Sequence, residues 1–526
     1  MLDILIKSGL VIDGLNTRSV FKDVGIVKDK IVEVGSLSEV EAIEVIDASG
    51  LCIAPGFIDM HTHSDEAVLI NPLMESKIRQ GVTTEVLGNC GSSAAPLLGE
   101  AHIQADKMLS LHGIPLSWKS MGEYLELVER GGSSTNILAL TGHGNLRGSV
   151  MGFGMGAPTI EEMKDMKELL ESTLKEGSFG LTTGLIYPPS SYAEIREIIE
   201  LAKVVTRHDG IYATHMRNET DKLLEAVEEA LNIGRESRVK VEIAHHKVAD
   251  KSNWGRVEQS LSMIEKARNS GIEVTCDQYP YIAASTGLSS RVPAWAHDGG
   301  VDKMVERLKN PETSAQILSS IKQRMPDKYN YEAVLIAKCP SDKNLEGLNL
   351  WQISELQKLL PHEVIIKLLI DNEGLVDIVS FGMCEEDVKM IMKAPFVMIG
   401  SDAGAKATYG PLSEGKPHPR AYGTFPRVLG KYSREEKVIS LEEGIHKMTY
   451  LPAKTLGLNN RGVIRKGNYA DLVIFDANTI IDRATYINPH QYPVGIEYVL
   501  VNGVITIAKG EHQGAKAGKI LRSKSD

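Results

Sequence analysis

Ala54-Pro55-Gly56-Phe57-Ile58-Asp59-Met60-His61-Thr62-His63 is the stretch on which the fold turns. Ile58, Met60 and Thr62 alternate with Phe57, Asp59 and His61, a period-2 pattern that reads as a β-strand opened by a Pro-Gly turn. On a strand, residues i and i+2 point to one side, so His61 and His63 face one point in space. Two converging imidazoles begin a divalent-metal site. In a chain with 15 histidines such a pair also arises by chance, so its meaning depends on the rest of the chain.

Outward from this strand, the pattern repeats. Further strand candidates are Val82–Gly88, Asn136–Thr141, Gly180–Gly184, Ile211–His215, Val239–His245, Ile272–Asp277 and Phe396–Asp402. Amphipathic helical stretches such as Ile160–Lys175, Tyr192–Arg207 and Asp221–Ile233 lie between many of them. Eight strand-then-helix units imply an α/β fold, a (β/α)₈ TIM barrel of parallel strands. Asp277 and Phe396 are about 120 residues apart, too far for a plain connection, so an inserted subdomain is expected at about residues 287–350. Both chain ends read as short, glycine-punctuated strands, such as Leu5–Gly14, Ala470–Asp476 and Tyr498–Ile505. Residues 1–55 and 455–526 are therefore expected to join in one small β-sandwich or β-barrel domain beside a barrel spanning 56–450.

Composition excludes several classes. A formal net charge of −11 argues against nucleic acid or an anionic membrane as the main partner. The 5 cysteines (Cys52, Cys90, Cys276, Cys339 and Cys384) are few, odd in number and scattered, a reducing-compartment pattern. No basic n-region with a long apolar core opens the chain, and no run approaches the roughly 18 apolar residues of a membrane span. A cytoplasmic enzyme is the expectation.

In such barrels the reactive groups sit where strands finish. Here the strand exits carry His61 and His63, Cys90, His215, His245 and Asp402. A thiolate is a strong, soft ligand for zinc, whereas a buried free cysteine elsewhere is packing. Asp402 could cap a helix, but its place after the last strand favours catalysis. His245 and His246 are adjacent and point oppositely on a strand, so one faces the metal and the other is structural. His143 reads as a satisfied buried histidine near the mouth. Arg420, between Pro417 and Pro419, is either a surface arginine or a rigid carboxylate clamp.

Phe57-Ile58-Asp59-Met60-His61-Thr62-His63, the late Asp402 and Gly467-Asn468-Tyr469-Ala470-Asp471-Leu472-Val473 resemble the amidohydrolase superfamily. Gly88-Asn89-Cys90-Gly91-Ser92-Ser93, Ala213-Thr214-His215-Met216-Arg217, Ala244-His245-His246-Lys247, Asp277-Gln278-Tyr279-Pro280-Tyr281, Gly400-Ser401-Asp402 and Pro417-His418-Pro419-Arg420 narrow the resemblance. They are similar to the N-acyl-D-amino-acid deacylase (D-aminoacylase) family. The resemblance implies one tight Zn²⁺ on Cys90, His215 and His245, and a second, weaker position at His61 and His63. It implies Asp402 as the proton carrier, and Arg420 with Lys247 and Tyr279 as the holders of the α-carboxylate of a small-molecule N-acyl-D-amino acid. Uncharged, mainly hydrophobic side chains are the expectation.

Two alternatives stay open. One is a cyclic amidase of the hydantoinase or dihydroorotase type, which would carry a lysine on the fourth strand, where Gly177–Gly184 has none. The other is a deacylase for acidic D-amino acids. The stretch from Ala403 to Lys416 is longer than the family pattern and is expected to lie over the site.

Overall fold

Phe57–Asp59, Val82–Leu87 and Asn136–Ala139 form a three-stranded parallel sheet in the computed structural model, which describes residues 1–37 and 39–523. Thr141–Gly142, Gly180–Gly184, Ile211–His215, Lys240–Ile243, Val274–Gln278 and Val397–Ile399 form a six-stranded parallel sheet. Nearly every residue of these strands is buried, because helices cover one face while side chains fill the other. The helices explain themselves. Ile160–Lys175 starts with a Thr159/Glu162 capping box, and Ile195–Arg207 turns Ile198, Leu201, Ala202 and Val205 inward at helical spacing. The eight strand segments anticipated in the sequence are all present, with ends shifted by a few residues. The arrangement is of the TIM-barrel type.

The two sheets meet at both seams. Leu140 alone separates Asn136–Ala139 from Thr141–Gly142, and its N–H donates to the Leu87 carbonyl at 2.9 Å. At the other seam the first and last strands are joined just past their ends. The Asp402 N–H donates to the His61 carbonyl at 2.8 Å, and Thr62 bridges to Ala403. The first strand stops at Asp59 rather than continuing through His63, because from Met60 on the backbone turns to meet Ser401–Ala403.

A buried ion pair sits behind this seam. Lys77 Nζ donates to Asp59 Oδ2 at 2.8 Å, to Ser401 Oγ at 2.6 Å and to the Ala403 carbonyl at 2.7 Å. Asp59 Oδ1 accepts the Ser401 N–H at 2.8 Å. Both charged side chains are fully buried, so each depends on the other for its solvation.

Both chain ends enter one nine-stranded sheet. Cys52–Pro55 is its hinge, pairing in parallel with Leu2–Val11 and antiparallel with Leu472–Phe475, next to which Ile496–Val501 and Val504–Ala508 continue the sheet. The excursion after Val274–Gln278 is larger than the 287–350 stretch expected from the sequence. Ala283–Gly287, Val334–Lys338 and Asp377–Phe381 make an antiparallel sheet with its own apolar core, so the excursion runs from Ala283 to Phe381. The last of these strands pairs with the first across more than ninety residues on average and with the second across more than forty, long-range pairings that periodicity does not register. Among the described residues no helix is long and apolar enough to cross a membrane, and all five cysteines are free.

Removing one partner of a buried ion pair strands the other charge. Lys77→Met should therefore lower stability by about 3–5 kcal/mol, read as a drop in Tm by calorimetry; an unchanged Tm would mean that the seam does not depend on this lysine.

Candidate metal centre and its cavity

The strand-exit residues converge. His61 Nε2 lies 3.3 Å from Cys90 Sγ, His245 Nε2 lies 3.4 Å from the same sulfur, and His245 Nε2 lies 2.8 Å from His215 Nδ1. His63 Nε2 is 3.1 Å from Asp402 Oδ1, and His61 Nε2 is 3.6 Å from that oxygen. Two groups of donor atoms result, His61, His63, Cys90 and Asp402 in one, Cys90, His215 and His245 in the other. Cys90 belongs to both.

Local backbone geometry makes this convergence possible. Cys90, His245 and Asp402 all adopt left-handed conformations, with φ of 53°, 37° and 50°. Non-glycine residues pay for that conformation and hold it where the surroundings impose it. Gly91 follows at φ 77°, and a Cβ there would lie 2.5 Å from the Gly184 nitrogen, so only glycine lets the Cys90 turn sit against the neighbouring strand.

Carboxylates orient the imidazoles from behind. Asp277 Oδ2 pairs with His61 Nδ1 at 3.0 Å, while its Oδ1 accepts the His245 N–H at 3.0 Å. Glu219 Oε1 lies 3.0 Å from His245 Nδ1 and 2.7 Å from Lys247 Nζ. Such pairs fix which ring nitrogen is presented to a metal. Neither Asp277 nor Glu219 is among the site residues expected from the sequence. Asp277 ends a strand like the other site residues and could have been found by that rule; Glu219 lies in a loop with no signal beyond its distance of four residues from His215. His246 turns away to Ser260 Oγ at 2.8 Å, and His143 is satisfied between Ser190 and Glu197, at 2.9 and 2.8 Å.

The charges fit a divalent cation. Burial pushes the Cys90 thiol up, but His61 and His245 outweigh it and hold it well below the usual range. Burial likewise opposes ionisation of Asp402, and the Arg420 guanidinium overcomes it, keeping the carboxyl well below its ordinary value. Burial and the nearby His245 hold His215 down, as a neutral ligand requires. Burial opposes protonation of His63, yet Asp402 and Cys90 draw it up to about 9. Among the described residues, the permanent cations paired with Cys90, Asp402, Glu219 and Asp277 are Arg420, on Asp402, and Lys247, on Glu219. A bound cation would balance that excess in place of imidazole protons. A thiolate with imidazoles suits a borderline-soft metal such as zinc. Among the described residues the buried Nε2 of His215 has no hydrogen-bond partner, its nearest carboxylate oxygen being Glu219 Oε2 at 3.6 Å.

Arg420 lies where the sequence pointed, with a partner that the sequence did not indicate. Its Nη1 donates to Asp402 Oδ2 at 2.7 Å and its Nη2 to the Ser285 carbonyl at 3.4 Å, while Nε is buried with no partner among the described residues. Arg420 stacks on the ring of Tyr279 at 4.5 Å, and the Tyr279 hydroxyl also lacks a partner. Two unclaimed donors thus sit beside Asp402.

Cys90, His63, His215, His245, Lys247, Tyr279, Asp402 and Arg420 all line one cavity of about 580 Å³. The stretch from Ala403 to Lys416 does not lie over it. No residue of that stretch lines the cavity; instead Ala405, Ala407 and Leu412 pack into the apolar cluster behind its wall. The apolar side chains of the loop reach a better-buried position there than over an open mouth.

The chain is also similar to proteins of known family. A family described as "Amidohydrolase family" matches residues 44–507. The chain is 36% identical to a D-aminoacylase of Alcaligenes xylosoxydans xylosoxydans over 521 residues, covering 99% of this chain and 97% of the relative. Among solved structures, an N-acyl-D-glutamate deacylase from Bordetella bronchiseptica, complexed with zinc and a phosphonate mimic of the tetrahedral intermediate, superposes with a TM-score of 0.84. It is 33% identical, with 99% of each chain covered. A D-aminoacylase studied for one-metal activation and second-metal attenuation of its binuclear centre gives a TM-score of 0.84 at 36% identity, over 99% of this chain and 100% of that one.

Cys90→Ala should lose bound metal, and Glu219→Gln, which only loosens the orientation of His245, should weaken metal affinity by about 10–100-fold, measured by competition with a chromogenic chelator. Arg420→Gln should shift the acidic limb of any activity that needs the Asp402 carboxylate. That activity is present above the pKa of Asp402 and lost as pH falls through it, so removing the guanidinium that depresses this pKa moves the limb to higher pH. An unmoved limb would show that another group sets it.

Proposed function

Because the chain belongs to the amidohydrolase family, we propose that it hydrolyses the amide bond of N-acyl-D-amino acids, giving a carboxylic acid and a free D-amino acid with an uncharged, mainly hydrophobic side chain. The Asp402–Arg420 pair carries this reading. One oxygen of Asp402 touches the metal-ligand group, and the other holds a guanidinium that still has donors to offer a carboxylate. Proton transfer and carboxylate recognition therefore sit side by side.

Cys90, His215 and His245 would hold one zinc tightly, and His61 with His63 a second, weaker one; zinc supplies Lewis-acid polarisation of the scissile carbonyl and acidifies water. Asp402 accepts the proton of the attacking water and returns it to the departing amine. Arg420 Nε and the Tyr279 hydroxyl bind the α-carboxylate, with Lys247 contributing charge from its place between Glu219 and His245. With carboxylate and carbonyl both fixed, the side chain can leave the α-carbon in only one productive direction, which is the basis for preferring one enantiomer.

The frame for this chemistry is a closed (β/α)₈ barrel of residues 56–450, with the Ala283–Phe381 excursion as its inserted subdomain and residues 1–55 and 455–526 as one small β domain. The hydrogen bonds across both seams and the shared end sheet support that division. The free, scattered cysteines support a cytoplasmic setting.

One observation favours the acidic side-chain alternative. Arg291 has a buried Nε without a partner and interacts with Tyr187, which lines the cavity. Yet Arg291 itself stands outside the lining and donates to Ser380 Oγ at 2.7 Å, so the uncharged reading comes first.

Asp402→Asn should retain the tight metal while kcat falls by roughly 10²–10⁴. A chiral screen with zinc added should show turnover of N-acetyl-D-methionine well above N-acetyl-D-glutamate and above the L-enantiomer. Equal rates on the two enantiomers of N-acetylmethionine would falsify the two-point geometry, and a preference for the D-glutamate derivative would select the Arg291 reading.

A further inference from the structure

The cavity is unevenly lined. One part of its lining is the metal-ligand group with Arg420, Tyr279 and Lys247; another is mainly apolar, with Gln104 and Glu66 as polar members. Its wall is the helix Gly99–Ser110, which turns Ala101, Ala105, Met108 and Leu109 toward the cavity at spacings of four, three and one, while Ile103, Asp106 and Lys107 face outward. Trp118 closes that side, held by a hydrogen bond from its Nε1 to the Ala94 carbonyl at 2.8 Å. From Ala101 to Met108 the helix advances about 10 Å. An acetyl group and a small amino acid leave much of a cavity of about 580 Å³ unfilled, because volumes of roughly 300–1,000 Å³ hold drug-sized ligands.

Chain connectivity shows which part of a substrate this arm would take. In an N-acyl amino acid the α-carboxylate and the acyl tail lie on opposite sides of the scissile carbonyl. With the carboxylate at Arg420 and Tyr279 and the carbonyl at the metal-ligand group, the tail continues beyond Cys90. The residues after Cys90, Gly91 to Ala94, line the cavity and lead directly to Leu97, the helix and Trp118. The amino-acid side chain branches off earlier, beside Tyr187 and Thr286, which are hydrogen-bonded to each other at 2.9 Å.

We infer that the arm lined by Ala101, Ala105, Met108 and Trp118 is an acyl-tail subsite, and that the preferred substrates carry medium-chain fatty acyl groups rather than acetyl. This inference rests on the N-acyl-D-amino-acid deacylase reading. It also accounts for an apolar wall that metal and proton chemistry do not require, since burying an open apolar cavity wall under a matching tail removes both surfaces from water.

The test is a series of N-acetyl-, N-butanoyl-, N-hexanoyl- and N-octanoyl-D-methionine with the zinc-loaded enzyme. Each methylene transferred from water should raise kcat/KM by about four-fold, or about 250-fold from acetyl to hexanoyl. Ala105→Phe, which fills the arm, should collapse the hexanoyl-to-acetyl ratio towards one. Free hexanoate should inhibit the unaltered enzyme far better than acetate, a readout that does not depend on the variant folding. A flat or falling series with N-acetyl-D-methionine still hydrolysed overturns the acyl arm and leaves the deacylase reading standing. Hydrolysis of no member of the series overturns both. A rising series that Ala105→Phe leaves unchanged places the tail elsewhere and overturns this assignment.

Discussion

Everything at the reactive end of this protein depends on the seam that Lys77 holds. Its ammonium group ties Asp59, at the end of the first parallel strand, to Ser401 and Ala403 after the last one. Those strands are about 340 residues apart in the chain, so their meeting costs loop-closure entropy, though only slowly with length. The return is local order. His61 and His63 leave one side of the seam and Asp402 the other, and the Asp402 N–H is fixed on the His61 carbonyl. A fully buried ion pair is a costly way to join two strands. Here it leaves no freedom in how the two histidines and the aspartate face each other.

The charge arrangement results from that placement. Asp402 is held between an imidazole and a guanidinium, which act together against its burial, so the carboxylate is ionised and weakly basic. A substrate carboxylate that draws donors of Arg420 to itself would loosen this restraint and make Asp402 a better proton acceptor once the substrate is in place. On the opposite side, Glu219 and Asp277 hold the imidazoles of His245 and His61 from behind. The left-handed backbone at Cys90, His245 and Asp402 fits the same picture, because strain of this kind persists where the surroundings over-determine the geometry.

The cavity joins segments with different jobs. Residues on the exits of the parallel strands supply the reactive groups, while the turn after Cys90 and the helix beyond it supply shape. The long stretch from Ala403 to Lys416 supports that shape from outside, packing its apolar residues into the cluster that contains Leu97, Ala101 and Trp118. In barrels of this type the strand exits carry the chemistry and the loops the selectivity.

The alternation of strand and helix, the end segments that share a sheet, and six donor residues at strand exits are all legible in the amino-acid order. Each of these is a local signal: a period of two or 3.6, a turn, a donor residue at a strand exit. Cys90 could be read because a thiolate is a strong ligand for zinc, and Asp402 because it follows the last strand of a barrel pattern. Tertiary structure alone decided the rest. That Lys77 is a seam residue rather than a surface lysine, that Arg420 pairs with Asp402, and that Glu219 stands behind His245 are contacts between segments with no common pattern. The Asp377–Phe381 strand escaped for the same reason, its partners lying far away in the chain. Ala403–Lys416, read as a cover over the site, proved to be part of a wall because burial of its apolar side chains depends on a cluster assembled from other segments. Periodicity reports which face of an element is buried; only the folded chain decides what that face is buried against.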